Sequence, residues 1–130
     1  FFGKFQKSNL ISDMFKKLKT KKKIDLVNYD KSRDYLYIKD LVSALDQILS
    51  KFPQKIKIYN ISQDRNLKIL EVIYVMKNLL NSNSIINKKK NKSLQSKFKN
   101  VRINSKMFRK NFNWKPKFKF KDAIKDLLSQ

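Results

Sequence analysis

Ten consecutive residues, Ser32-Arg33-Asp34-Tyr35-Leu36-Tyr37-Ile38-Lys39-Asp40-Leu41, constrain this chain more than any other stretch. Arg33 and Asp34 are adjacent opposite charges, read as a buried pair. Tyr35-Leu36-Tyr37-Ile38 alternates as a β-strand does. Asp40 is placed to cap a helix whose Leu41, Leu45, Ile48 and Leu49 form one apolar stripe. A strand that feeds an amphipathic helix is the building unit of α/β folds, and the rest of the chain repeats it. Residues 8–20 read as a helix, with Leu10, Ile11, Met14, Phe15 and Leu18 at helical spacing and Ser8 or Asn9 as its cap. The lysine-rich run 16–23 lies at its negative end. Residues 24–27 form a short strand and 28–31 a turn. Phe52-Pro53 breaks the chain, and 55–61 alternates as a third strand. Residues 67–80 are apolar on nearly every side, a helix that needs cover on more than one face and so points to a missing partner. Residues 81–100 read as a polar loop around a short strand at Ile85-Ile86. A short helix at 105–112 lies behind Asn104, a turn at 113–116 follows, and a last helix at 120–128 turns Ile124, Leu127 and Leu128 inward. No internal repeat is visible.

A length of 130 residues with 41% apolar content suits one domain, able to bury roughly two thirds of its surface on folding. Cysteine and histidine are both absent. That removes disulfides, thiolate metal sites, the commonest metal ligand and the usual base near neutral pH. Catalysis by this chain alone would fall to Asp, Glu, Lys, Tyr or Ser. No apolar run approaches the ~20 residues that span a bilayer. Phe1-Phe2-Gly3-Lys4-Phe5 lacks the layout of a secretory signal. The expectation is a cytoplasmic protein without a membrane partner.

The formal net charge is +22, yet only Arg33, Arg65, Arg102 and Arg109 are arginine. Nucleic-acid surfaces use arginine heavily, because its planar fork matches phosphate and guanine geometry. Lysine dominates here and is spread over every segment, alongside many Asn and Ile. That spread reads as compositional bias and a solvated surface. The alternative is a small basic nucleic-acid-binding protein, using the lysines of 16–23 and 88–92 and the interleaved Phe118-Lys119-Phe120-Lys121. Tyr35 and Lys39 match the Tyr-x-x-x-Lys spacing of a proton-transfer pair, but that pair needs one helical face. These two straddle a strand end, so the match reads as accidental. Gly3 is the sole glycine, which excludes a Gly-x-Gly-x-x-Gly loop for a dinucleotide pyrophosphate.

Residues 32–44 resemble an Arg-Asp-aromatic-x-aromatic-x-x-Asp-x-x-x-Ala segment. Tyr59-Asn60-Ile61-Ser62 and the helix from Leu67 are similar to a Tyr-Asn-Ile-Gly strand and helix. Asn104-Ser105-Lys106 through Asn113-Trp114-Lys115-Pro116 resembles an Asp-x-Ser-Lys…Gly-Trp-x-Pro ending. Phe2-Gly3 and Ser8-Asn9-Leu10-Ile11 are similar to Tyr-Gly-Pro-Gly and Asn-Leu segments. In this order the segments resemble the C-terminal part of the extended short-chain dehydrogenases, the NAD-dependent sugar-nucleotide epimerases and dehydratases. The resemblance covers the whole chain as a single partial domain, 1–130. It implies an α/β fold: a C-terminal substrate-binding lobe plus the last strand and helices of a Rossmann-type enzyme. The NAD loop and the catalytic Tyr and Lys would lie before Phe1. It further implies a nucleotide-diphosphate sugar as ligand, NAD or NADP in the intact enzyme but none held by this chain alone, and no catalytic or metal-binding residue here. A separately encoded N-terminal half and a homodimer are the implied partners. On the same resemblance, Asn9 and Leu10 contact the nucleotide, the strand holding Asp25 and Val27 flanks its base, Arg33 holds the diphosphate, and Arg65 and Arg102 are further substrate contacts. Ser62, Asp64 and Asn113 stand where the family has glycines, and Lys4-Phe5 replaces Pro-Gly, which places side chains at turns that prefer positive φ.

Overall fold

A computed structural model describes residues 1–4, 6, 9–51, 57–89 and 100–129. Among these the order is α1 (Leu10–Thr20), β1 (Lys23–Val27), β2 (Ser32–Asp34), α2 (Ile38–Ser50), β3 (Asn66–Lys68), α3 (Ile69–Leu79), β4 (Ile85–Lys89), α4 (Lys106–Phe112) and α5 (Phe120–Leu128). The mixed α/β class is as expected. β1 and β4 pair in parallel, from Lys23 opposite Ile85 to Val27 opposite Lys89. β2 and β3 pair antiparallel, with Ser32, Arg33 and Asp34 opposite Lys68, Leu67 and Asn66.

The start of α1 falls to Asn9, whose Oδ1 accepts Ser12 N at 2.9 Å while Ser12 Oγ accepts Asn9 N at 3.2 Å. This reciprocal cap satisfies two of the helix's orphan donors. Ser8, Phe5, Phe52-Pro53 and residues 55–56 and 90–99 lie outside the described residues.

The second strand sits earlier than its alternation predicts. Its ladder is Ser32–Asp34, and Ile38 already opens α2. Tyr35, Leu36 and Tyr37 are all buried, so this stretch fills the core with three successive side chains instead of showing every other one to solvent. It is tied down by Phe2, whose N–H donates to Leu36 O at 2.9 Å and whose carbonyl accepts Ile38 N at 2.8 Å. Gly3 follows because a Cβ there would come within 2.5 Å of Ile38 Cγ2.

Asp40 does not cap α2. It lies buried in the first turn and accepts Lys117 N at 2.8 Å and Phe118 N at 3.2 Å. The stripe of α2 also differs from expectation. Leu41, Ala44 and Ile48 pack inward against Phe108, Phe112 and Trp114, whereas Leu45 and Leu49 are 48% and 71% exposed. The small Ala44 is where the α4 aromatics reach α2, and that turns the leucines one step round the helix into solvent.

Residues 57–61 are not a strand, since no described strand pairs with them, and Ile58 is 88% exposed. Tyr59 instead packs edge-on to Phe108 and Phe112. The apolar stretch 67–80 is divided. Its first residues join β3, and α3 buries Val72, Ile73 and Met76 in a core shared with α1, Phe2, Tyr37 and α5. Leu70, Val75, Leu79 and Leu80 edge the same core, so most of the needed cover is internal. The strand read at Ile85-Ile86 extends to Lys89. α4 and α5 lie as expected, and Asn104 Oδ1 accepts Lys106 N at 2.9 Å.

Left-handed turns fall on Asn28, Asp64, Asn81 and Asn113, with φ of 56°, 61°, 48° and 50°. Asn and Asp tolerate this region best after glycine. Two of the three described glycine replacements, Asp64 and Asn113, are thus accommodated in place. The third, Ser62, is buried, and its Oγ donates to Ile103 O at 3.2 Å.

Replacing Asp40 tests how α2 is held. Asp40→Ala strands two N–H donors and should cost roughly 2–5 kcal/mol, whereas Asp40→Asn, which keeps one acceptor oxygen, should cost about 1–2 kcal/mol. Urea unfolding followed by circular dichroism measures both.

Candidate functional site

The β2–β3 ladder ends at a loop, residues 62–65, that is pinned from four directions. Asp34 Oδ1 accepts Gln63 N at 3.0 Å, and Gln63 Nε2 donates to Phe118 O. At the end of the loop Asn66 Nδ2 donates to Val101 O at 2.8 Å. From α4, Arg109 Nη2 donates to Gln63 O at 3.3 Å and lies 3.9 Å from Asp64, while its Nε donates to Ser105 Oγ at 3.0 Å.

All four arginines of the chain lie on this loop or on segments bonded to it or paired beside it. Arg33 lies on β2 opposite Leu67, with Nη1 donating to Ser32 O at 2.8 Å. Arg65 is in the loop itself and exposed. Arg102 is exposed between Val101 and Ile103, whose carbonyls are bonded to Asn66 and Ser62. Arg109 braces the loop from below. Sequence reasoning proposed three of these and missed Arg109, although its rarity among 32 basic residues was a usable signal.

Arg33 and Asp34 are each half-buried, not a buried pair. Successive strand residues face opposite ways, so Asp34 turns to the backbone of the loop. Burial holds the Asp34 carboxyl above its ordinary 3.8, against the loop N–H groups that lower it. Its Oδ2 and the Oδ1 of its ladder neighbour Asn66 are buried without a hydrogen-bond partner.

The remaining proposed contacts lie elsewhere. Asn9 is engaged in the α1 cap, and Leu10 packs against the main core. Asp25 and Val27 are on the β1–β4 ladder, a different sheet from Arg33. Asp25 is exposed and ion-paired to Lys89 at 2.7 Å. This bond, followed by the 3.0 Å bond from Asn87 Nδ2, holds its carboxyl below the usual value. Val27 is exposed at the strand end.

Tyr35 and Lys39 do not act together. Lys39 Nζ pairs with Asp126 at 2.7 Å, whereas Tyr35 packs against Phe120 with its hydroxyl unpartnered. Burial, opposed by Arg33, pushes the Tyr35 phenol up to about 12. With one glycine and no Tyr-Lys pair on a shared helical face, the residues present do not fit a nicotinamide dinucleotide. No group of metal-ligating side chains occurs among the described residues, and no described helix is long and apolar enough to cross a membrane.

Residues 3–127 match the sequence pattern of the GDP-mannose 4,6 dehydratase family. The chain belongs to this family. Its fold is that of NAD-dependent sugar-nucleotide dehydratases and epimerases. The RMD protein of Pseudomonas aeruginosa, solved with NADPH, superposes with a TM-score of 0.82 at 20% identity, over 96% of this chain and 43% of that one. The dTDP-glucose 4,6-dehydratase of Bacillus anthracis, solved with NAD, gives 0.80 at 24% identity, over 98% and 40%. WbmG of Bordetella bronchiseptica, solved with NAD and UDP, gives 0.75 at 22% identity, over 94% and 38%. The chain thus spans about two fifths of the length of these structures, in their C-terminal portion.

The raised Asp34 carboxyl has a sign that can be measured. The folded chain binds this proton more tightly than the unfolded one, so the group's contribution is fully present below 3.8 and is lost as pH rises through the raised folded value. Asp34→Asn keeps the acceptor for Gln63 N without the charge. Between pH 3.5 and 6.5 the urea midpoint of the natural chain should therefore fall relative to that of Asp34→Asn.

Proposed function

We propose that this chain supplies the sugar-nucleotide-binding lobe of an NAD-dependent epimerase or dehydratase of the cytoplasm, and that it is inactive without a nicotinamide-binding half. The observation that carries this reading is that all four arginines stand on one pinned loop or on the segments beside it, in a chain whose other cationic side chains are all lysine. Arginine forks bind phosphate oxygens in pairs, and their charge-assisted bonds are about twice as strong as neutral ones. Arg33 holds the diphosphate, its stem fixed by the β2–β3 ladder. Arg65 and Arg102 close on the same group from the loop and from the 101–103 segment, and Arg109 positions the loop. Asn9 and Leu10 at the head of α1, with Asp25 and Val27 on β1, meet the nucleoside. The family match over residues 3–127 and the UDP held by WbmG support this ligand class.

The second half has a surface to dock on. Val42, Leu45 and Leu49 fall at i, i+3 and i+7 and form an exposed apolar face of α2. Residues 57–61, without a described strand partner, include the exposed Ile58. Redox chemistry belongs to that half, because this chain has no glycine-rich loop to take a dinucleotide pyrophosphate.

The test is a titration of the purified chain with UDP-glucose, dTDP-glucose and GDP-mannose, followed by ligand-observed NMR. At least one should bind, and Arg33→Gln should weaken it about tenfold, the loss of one charge-assisted contact. Lack of binding by all three, or binding indifferent to Arg33→Gln, overturns the assignment.

A further inference from the structure

Asp34 and Asn66 stand opposite each other at the end of the β2–β3 ladder that meets the 62–65 loop. Opposite residues of an antiparallel pair put their side chains on one face, with Cβ atoms about 4.5–5.5 Å apart. Each has one arm already committed. Asp34 Oδ1 accepts Gln63 N at 3.0 Å, and Asn66 Nδ2 donates to Val101 O at 2.8 Å. Turning the Asn66 amide over would set its oxygen against the Val101 carbonyl, so its orientation is fixed. That leaves Asp34 Oδ2 and Asn66 Oδ1, both buried and both without a hydrogen-bond partner among the described residues. Neither presents surface on which a water molecule could sit. Two buried acceptors on one face, with no donor and no room for water, lack only a proton between them.

We propose that Asp34 and Asn66 form a proton latch on the arginine loop. In its acid form the Asp34 carboxyl donates from Oδ2 to Asn66 Oδ1, which closes a run of bonds from Gln63 through Asp34 and Asn66 to Val101. The joined segments carry Arg33, Arg65 and Arg102, so the latch sets how firmly the diphosphate contacts are held. This consequence rests on the sugar-nucleotide reading, whereas the latch itself does not. On ionisation the proton passes to solvent, the lone pairs of two oxygens face each other, and the end of β3 parts from β2. Burial, then the nearby Asp64, hold the proton on Asp34, against the N–H groups of Gln63 and Asp64 and the amino group of Phe1. From α4, Arg109 is engaged with Gln63 O at 3.3 Å and with Asp64 at 3.9 Å. Arg33 projects from the other face of β2, and Arg65, Lys68, Arg102, Lys117 and Lys119 are exposed.

Carbon-detected NMR of the full 130-residue chain between pH 3 and 7 tests the latch. The side-chain carbonyl carbons of Asp34 and Asn66 should titrate together, with one midpoint above 3.8. Asp34→Asn places an N–H donor where the acid carries its O–H, so the Asn66 carbon should hold its acid-form position at every pH. Asp34→Leu is neutral but has no donor, and there the Asn66 carbon should leave that position. The sugar nucleotide that binds the natural chain should bind about fivefold more weakly at pH 6.5 than at pH 4, and equally at both in Asp34→Asn. An Asn66 carbon that ignores the Asp34 midpoint, or that takes the same position in Asp34→Leu as in Asp34→Asn, overturns the latch. Equal affinity of the natural chain at both pH values overturns its control of the loop. Failure of every sugar nucleotide to bind counts against the sugar-nucleotide reading alone, because the carbon shifts need no ligand.

Discussion

The arrangement of this chain depends on one buried carboxylate, Asp40, which holds the backbone of Lys117 and Phe118 against the first turn of α2. A carboxylate taken from water is tolerable only when donors replace its hydration, and here two amides from a segment 77 and 78 residues away do so. Neighbouring bonds follow the same path. Trp114 Nε1 donates to Ser43 Oγ at 2.8 Å, and Tyr37 donates to Asp126 at 2.5 Å. Together they set the 113–126 segment along α2. On one side Phe108, Phe112 and Trp114 close over Ala44. On the other Phe120 and Ile124 meet Phe2, Tyr37 and α3.

The candidate site inherits its rigidity from this scaffold. Phe118, fixed by Asp40, supplies the carbonyl that holds Gln63, and α4, fixed by its aromatic packing, supplies Arg109 to the same residue. The loop that carries Arg65 is therefore placed by elements on both sides of it. The sole glycine, Gly3, is used for close approach to Ile38, so left-handed turns fall to Asn and Asp.

Much of this was legible in residues. Helices read at 105–112 and 120–128 are present, and of the two cap candidates, Ser8 and Asn9, Asn9 caps α1. Family membership followed from ordered motifs that no single element carries. Errors arose where burial overrode pattern. Tyr35-Leu36-Tyr37 alternates in type but is buried throughout, because Phe2 packs across it. Leu45 and Leu49 belong to an apolar stripe in sequence, yet Ala44 sets which face meets the aromatics. The run 67–80 hides a strand-to-helix change at Lys68, since a short β-pairing is decided by its partner, β2, and not by its own composition.

By itself the sequence determined the α/β alternation, the family and the impossibility of a dinucleotide loop, because these depend on residue types and their order. It also determined that arginine is scarce. Only the tertiary structure decided that the segments carrying the four arginines meet at one loop, that Asp40 is a brace and not a cap, and that Tyr35 and Lys39 face different partners. Those outcomes depend on contacts between segments 29 to 87 residues apart, such as Asp34 with Gln63, Asp40 with Lys117 and Lys39 with Asp126, and spacing along a chain carries no record of them.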